Sequence, residues 1–282
     1  MSPIRGTSEF DVLRQPPGPN CWWCQHRPAT TGEHKYKQTD LARLMGDDPS
    51  LFWVSTDEGV REIRGTSGIK RDRYRAVKFP KSLCGTCNNS RSQPFDATYS
   101  VYSEYIYNNR VSILPGIDLK GIFGEDWEAR NLLLARYYAK HFGCRMVWQG
   151  IPVPESLRSF LNGAIDMQDC HMSFISTDEV KRQKSSLSLS PDGAMVNRDR
   201  TRFTGCVMVN YIKDVGVRFV WSESGLPEGA SQFFHYPHPV ITNFKTHEDV
   251  FANAPRKPGW FARFSQWINE PKAVDNTDSK RA

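Results

Sequence analysis

Four cysteines, an acid–histidine pair and a run of asparagines are the residues of this chain whose types and spacing could do chemistry together. Cys21 and Cys24 form "CWWC", Cys84 and Cys87 form "CGTC", and between them "TGEH" sets Glu33 beside His34. The second cysteine pair runs straight into Asn88 and Asn89, then through Arg91 to Asp96 in "CNNSRSQPFD". Each CxxC bends the chain into a knuckle that presents two sulfurs to one metal. Two knuckles make a closed four-thiolate site of the structural zinc type, with no position left for a substrate. The stretch between the knuckles exceeds the usual ~15–20 residues, so a hairpin has to be inserted there. His34 has two readings: an ordinary surface histidine, or the base that deprotonates a water in phosphodiester hydrolysis, a role that suits a group titrating near neutrality.

The elements that position these residues follow from pattern. "LFWVST", "VREIRGT" and "RYRAVKF" (51–56, 60–66, 73–79) are aromatic- or β-branched-rich and read as strands. "PFDATYSVYSEYIYNN" opens with Pro94 and repeats Phe95, Tyr99, Tyr102, Tyr105 and Ile106 at helical spacing. "EDWEARNLLLARYYAKHFG" reads as a helix with acids in its first turn and Gly143 as its stop, and "PESLRSFLNG" as a shorter one. "MSFIS", "GCVMVNYI", "VRFVWS" and "QFFHYPHPVIT" read as strands, with "KDVG" as a hairpin turn and "KRQKSSLSLSPDG" as an exposed loop. The expected organisation is a flexible segment 1–19, a module 20–110, a second α+β domain 111–270 and a disordered tail 271–282.

Composition bounds the function classes. With 282 residues, 39% hydrophobic and 24% charged, the chain has the make-up of a soluble globular protein with length to bury a core. No apolar run approaches a membrane span, and the first residues lack the apolar core of a signal peptide, so the expected location is cytoplasmic with no membrane partner. Seven cysteines is an odd count that argues against a disulfide framework; Cys144, Cys170 and Cys206 read as small buried apolar residues. The net charge is +6, and much of it is concentrated. Arg61, Arg64, Lys70, Arg71, Arg73, Arg75, Lys78 and Lys81 face only Glu62 and Asp72. Charge runs are usually solvated faces, but this one lies between the two knuckles, where it could neutralise phosphates.

The order CxxC, acid–His, CxxC–Asn resembles the zinc-containing, four-cysteine branch of the HNH endonucleases (the ββα-metal, or His-Me finger, superfamily). The matching residues are Cys21, Cys24, Glu33, His34, Cys84, Cys87 and Asn88, and the likeness covers about residues 20–110. It implies an α+β fold: an N-terminal ββα-metal module stapled by a treble-clef-like zinc site, followed by an α+β domain outside the resemblance. It further implies that His34 activates water and that Glu33 holds a divalent ion, Mg²⁺ or Mn²⁺, together with Asn88, Asn89 or Asp96. The family's later histidine has no counterpart in "NNSRSQPFDATYS", so an asparagine or Asp96 has to complete the metal site. Arg91 stands where the family places a basic residue that could clamp a phosphate. Lys35, Lys37, Lys70, Arg71, Arg73, Arg75, Lys78 and Lys81 would contact the nucleic-acid backbone.

The resulting expectation is a metal-dependent endonuclease acting on DNA, by analogy in phage defence or restriction, with the C-terminal domain serving substrate choice, homo-oligomerisation or a partner protein. Two alternatives share the cysteines and the basic run: a non-catalytic zinc module that binds nucleic acid or protein, and an RNA-directed nuclease. Other candidates are weaker. His235 and His238 in "HYPHP" have metal-compatible spacing but no nearby third ligand in sequence, and His141 and His171 read as core histidines. Trp22 and Trp23 could stack on bases or wedge the knuckle against its neighbour, and wedging is the commoner use. "GTSG" lacks the spacing and the lysine of a phosphate loop.

Overall fold

Residues 30–35 and 77–83 run antiparallel as a two-stranded ribbon, with Thr31 opposite Leu83 and His34 opposite Lys78. The Phe79 amide donates to the Glu33 carbonyl at 2.9 Å and the Lys35 amide to the Val77 carbonyl at 2.8 Å. The computed structural model describes residues 10–45, 50–55, 59–64, 77–109, 115–182, 187–190, 193–225 and 232–252. Lys70, Arg71, Arg73, Arg75 and the tail 271–282 lie outside the described residues.

The insertion leaves and rejoins the ribbon at one end. It begins with helix α1 (Gln38–Met45) and carries the antiparallel pair β1 (Ser50–Ser55) and β2 (Gly59–Arg64), with Ser50 opposite Arg64. These are the first two expected strands. The third is described from Val77 onward, where it forms the return arm of the ribbon.

Past the second knuckle comes helix α2 (Gln93–Asn108), with Pro94 in its first turn and Phe95, Tyr99, Tyr102 and Ile106 buried, as the helical spacing requires. After the short α3 (Leu119–Phe123), helix α4 (Trp127–Gln149) contributes many buried residues to the apolar core. It does not stop at Gly143. It is capped seven residues later than the glycine signal suggests, at Gly150, whose φ of +70° makes a left-handed cap. Gly143 lies mid-helix because a Cβ there would overlap the six-membered ring of Trp22. The same glycine signal serves a helix stop and a close approach, and here the packing of Trp22 decides between them.

Helix α5 (Glu155–Leu161) precedes the sheet. Its strands are β3 (Cys170–Thr177), β4 (Leu187–Leu189), β5 (Gly193–Val196), β6 (Phe203–Ile212), β7 (Val215–Ser222) and β8 (Ile241–Phe244). The order is β4-β6-β7-β3-β8, with β5 also on β6; among the described strands β3 and β8 pair in parallel and the other pairs are antiparallel. Two short helices, α6 (Asp178–Arg182) and α7 (His247–Ala252), accompany it. Lys213, at φ +51°, makes the tight turn between β6 and β7. Two expectations are corrected. The supposed loop "KRQKSSLSLSPDG" contains the strand β4, paired on β6 with all three of its residues half-buried. The supposed strand "QFFHYPHPVIT" is a 3-10 turn at Phe233–His235 followed by β8, because its prolines cannot donate to a ladder.

The class is therefore mixed α and β with a six-stranded sheet. One apolar core joins knuckle residues (Cys21, Trp23, Leu83) to α2, α4 and the sheet. Phe142 of α4 stacks on Phe219 of β7 at 4.8 Å, and Tyr99 of α2 on Tyr137 of α4 at 3.8 Å. Packing is thus continuous across the expected boundary near residue 110. Part of the expected flexible segment is also anchored, since the Gln15 amide donates to the Gly150 carbonyl at 2.9 Å.

Candidate functional site

The two knuckles meet beside the ribbon. In the first, the Gln25 amide closes the turn onto the Cys21 carbonyl at 2.8 Å, and Gln25 itself takes the left-handed φ of 64°. In the second, the Cys87 amide points at the Cys84 sulfur at 3.4 Å. The four sulfurs of Cys21, Cys24, Cys84 and Cys87 lie within 4.8 Å of one another, and those of Cys24 and Cys84 are 3.9 Å apart. Tetrahedral Zn–S bonds of about 2.3 Å put sulfurs roughly 3.8 Å apart, so the donor set fits. Burial raises the Cys21 and Cys87 thiols. Burial opposes ionisation of Cys24 as well, but the backbone around His26 and Arg27 outweighs it and brings the thiol to about 6. Buried thiols so placed ionise together only around a cation. This four-cysteine group could hold a metal such as zinc. Among the described residues no other three His, Cys, Asp or Glu side chains converge in this way.

The ribbon sorts its residues by strand alternation. Glu33 and Lys35 point inward and are buried, while His34 between them is half-buried on the other side. Lys35 packs its ammonium 4.2 Å from the centre of the Trp148 ring and has an inward position unlike that of a backbone-binding lysine. Lys37 reaches Asp96, with Nζ 3.0 Å from Oδ1. Lys78, opposite His34, is half-buried, and Lys81 is exposed.

Glu33 meets a residue that sequence reasoning missed. Its Oε2 lies 2.7 Å from Nζ of Lys140, a lysine of α4 that is 1% exposed. The same ammonium donates to Ser92 Oγ at 3.1 Å and lies 3.6 Å from Asp96 Oδ2. Burial alone would lower the Lys140 pKa, but Glu33 and Asp96 outweigh it and the net shift is upward. A buried lysine needs a carboxylate, but in "LARYYAKHFG" Lys140 stands among Arg136 and His141, so the local sequence does not single it out.

His34 is held neutral. Burial, followed by the Lys78 and Lys140 charges, lowers its pKa to about 4, and Asp96 opposes them only in part. These effects place His34 in the same electrostatic neighbourhood as Asp96 and Lys140. Asn88 follows Cys87 in the turn before α2, and its Oδ1 is buried with no hydrogen-bond partner among the described residues. Its carbonyl accepts from Ser92 at 2.8 Å. Asn89 is exposed. Ribbon and α2 thus bring Glu33 and Asp96 to one ammonium, with His34 within electrostatic reach of it, while Asn88 adjoins the four cysteines through Cys87.

Arg91 is exposed, but its guanidinium is engaged by the protein itself. Its guanidinium stacks 4.6 Å from the centre of the Trp23 ring and donates to Asn162 at 2.9 Å, and its Nη1 is 3.9 Å from the Cys87 sulfur. The Trp23 indole donates to that same Asn162 oxygen at 2.8 Å. Both tryptophans of "CWWC" are buried, and they wedge the knuckle against α4 and α2. His235 and His238 do not share a ligand site, since they face Asp166 and Asp118 respectively. His141 is a core residue: Nε2 lies 2.9 Å from the Lys35 carbonyl and Nδ1 2.8 Å from the Asn210 amide. A cavity of about 320 Å³ lies between residues 15–20 and the loop after α4, and none of Glu33, His34, Asn88 or Asp96 lines it.

No protein-family model, no curated protein and no solved structure matches this chain. No helix among the described residues is long and apolar enough to cross a membrane.

Proposed function

We propose that this protein is a metal-dependent HNH-type endonuclease that hydrolyses phosphodiester bonds in DNA. The observation that carries the reading is the order of parts in space. A ribbon bearing His34 runs out of one half of a four-cysteine cluster and returns through the other half into a helix with Asp96 in its first turn. A neutral imidazole can take a proton from water, so that the water oxygen attacks phosphorus while the bridging oxygen leaves. Asn88 and Asp96, with the second oxygen of Glu33, are the residues that would hold Mg²⁺ or Mn²⁺; the partnerless Asn88 oxygen fits that use. When bound, such an ion stabilises charge on the phosphate and on the leaving oxygen. Zinc in the four cysteines would fix the ribbon against the helix. Lys78 and Lys37 add positive charge around His34, and Arg91 braces the first knuckle through Trp23.

A non-catalytic zinc module that binds nucleic acid is favoured by one observation: Glu33 and Asp96 already have ammonium partners. The two readings separate on incubation with plasmid DNA, single-stranded DNA and RNA in Mg²⁺, Mn²⁺ or EDTA. Cleavage of DNA that EDTA abolishes is expected. Binding without cleavage under every metal would favour the module, and cleavage of RNA alone would reassign the substrate.

A further inference from the structure

Lys140 belongs to α4, well outside the segment that carries the cysteines and His34, yet its ammonium sits among the acids of the candidate site. It is 2.7 Å from Glu33, 3.6 Å from Asp96 and 3.1 Å from the Ser92 hydroxyl, and is almost wholly buried. A lysine is costly to bury unless its charge is matched. Here the matching groups are the same two carboxylates that a divalent ion would use.

We infer that Lys140 is the positioning residue of this site and that its ammonium sets how tightly the site holds a divalent cation. The inference rests on reading Glu33 and Asp96 as part of a nuclease site. With Lys140 in place, Glu33 is directed inward, and the charge presented to a metal is reduced by one positive unit at short range. The arrangement also makes the site dependent on α4. The ribbon and α2 supply the acids, but their orientation comes from the other half of the chain. Lys37, on the outer side of Asp96, supplies the second counter-charge.

The test replaces Lys140 by Met in the full chain, an uncharged side chain of similar length, and titrates Mn²⁺ by calorimetry without nucleic acid. The Mn²⁺ midpoint should fall at least tenfold relative to wild type, and Mn²⁺ should raise the melting temperature of the variant more than that of wild type. Lys140→Arg, which keeps the charge, should keep the wild-type midpoint. A folded Lys140→Met protein with an unchanged midpoint would overturn the inference, as would a variant that stays unfolded in millimolar Mn²⁺. Because the titration needs no substrate, the two readings fail separately. DNA cleavage by wild type beside an unchanged Lys140→Met midpoint defeats the role of Lys140 alone. A tightened midpoint in a protein that cleaves nothing defeats the nuclease reading alone.

Discussion

The carboxylate of Glu33 and the ammonium of Lys140 meet at 2.7 Å with both side chains buried, joining the ribbon to helix α4 by charge. Removing one partner of such a pair strands the other in a low-dielectric interior, at a cost of about 3–5 kcal/mol. Glu33→Ala should therefore destabilise the fold by about 3 kcal/mol. Adding Lys140→Met to it should recover most of that loss, because the stranded charge is gone. Urea unfolding of the two single variants and the double variant checks this through the coupling term; additive losses would show that the pair contributes little.

The four cysteines predict one zinc per chain in protein purified without added metal. Cys87→Ser should lose the metal and more than about 3 kcal/mol of stability, since structural zinc binding is folding free energy. Elemental analysis with a chelator-dependent melt reads both. Folded protein free of zinc would remove the metal centre.

Gly143→Ala tests the close approach of Trp22. In an exposed helix this change would stabilise by up to about 1 kcal/mol. Here the added methyl meets the indole, so a loss of about 1–3 kcal/mol is expected from overpacking. Denaturant midpoints give the sign directly.

Stability should fall in mild acid. Burial lowers the His141 pKa to about 3, and the Asn210 amide faces its Nδ1 and needs that atom unprotonated. In the unfolded chain the same group titrates near 6.5. Between those values the unfolded state binds the extra proton, so stability is full above about pH 6.5 and is lost as pH falls toward 3. His34 and His171, each lowered to about 4 chiefly by burial, act in the same direction. His141→Gln should lose roughly 2 kcal/mol less than wild type between pH 7 and pH 5. Equal slopes in urea titrations at the two pH values would contradict the assignment.

The local grammar of the site could be read from sequence, and its long-range contacts could not. Paired CxxC motifs imply sulfurs that converge, and they do; Pro94 and the spacing of Phe95, Tyr99, Tyr102 and Ile106 imply α2, and it forms. Strand alternation would also have set Lys35 inward with Glu33, opposite to His34. Lys140 is different. Burial of its ammonium demands an acid, but only the tertiary fold reveals that burial and selects Glu33 and Asp96. Arg91 is similar, since Asn162 of the second half and Trp23 of the first knuckle both hold it. For β4, a polar serine between leucines concealed a strand whose three residues are all half-buried against the protein.

The central claim is that His34 is the base of a phosphodiester hydrolase, and one assay addresses it most directly. Purified wild type and His34→Ala are incubated with plasmid DNA and Mn²⁺, after circular dichroism has shown that both are folded. Wild type should nick or linearise the plasmid, and His34→Ala should be slower by about 10²- to 10⁴-fold, the usual contribution of a positioned base. Equal cleavage by the two proteins would contradict the account.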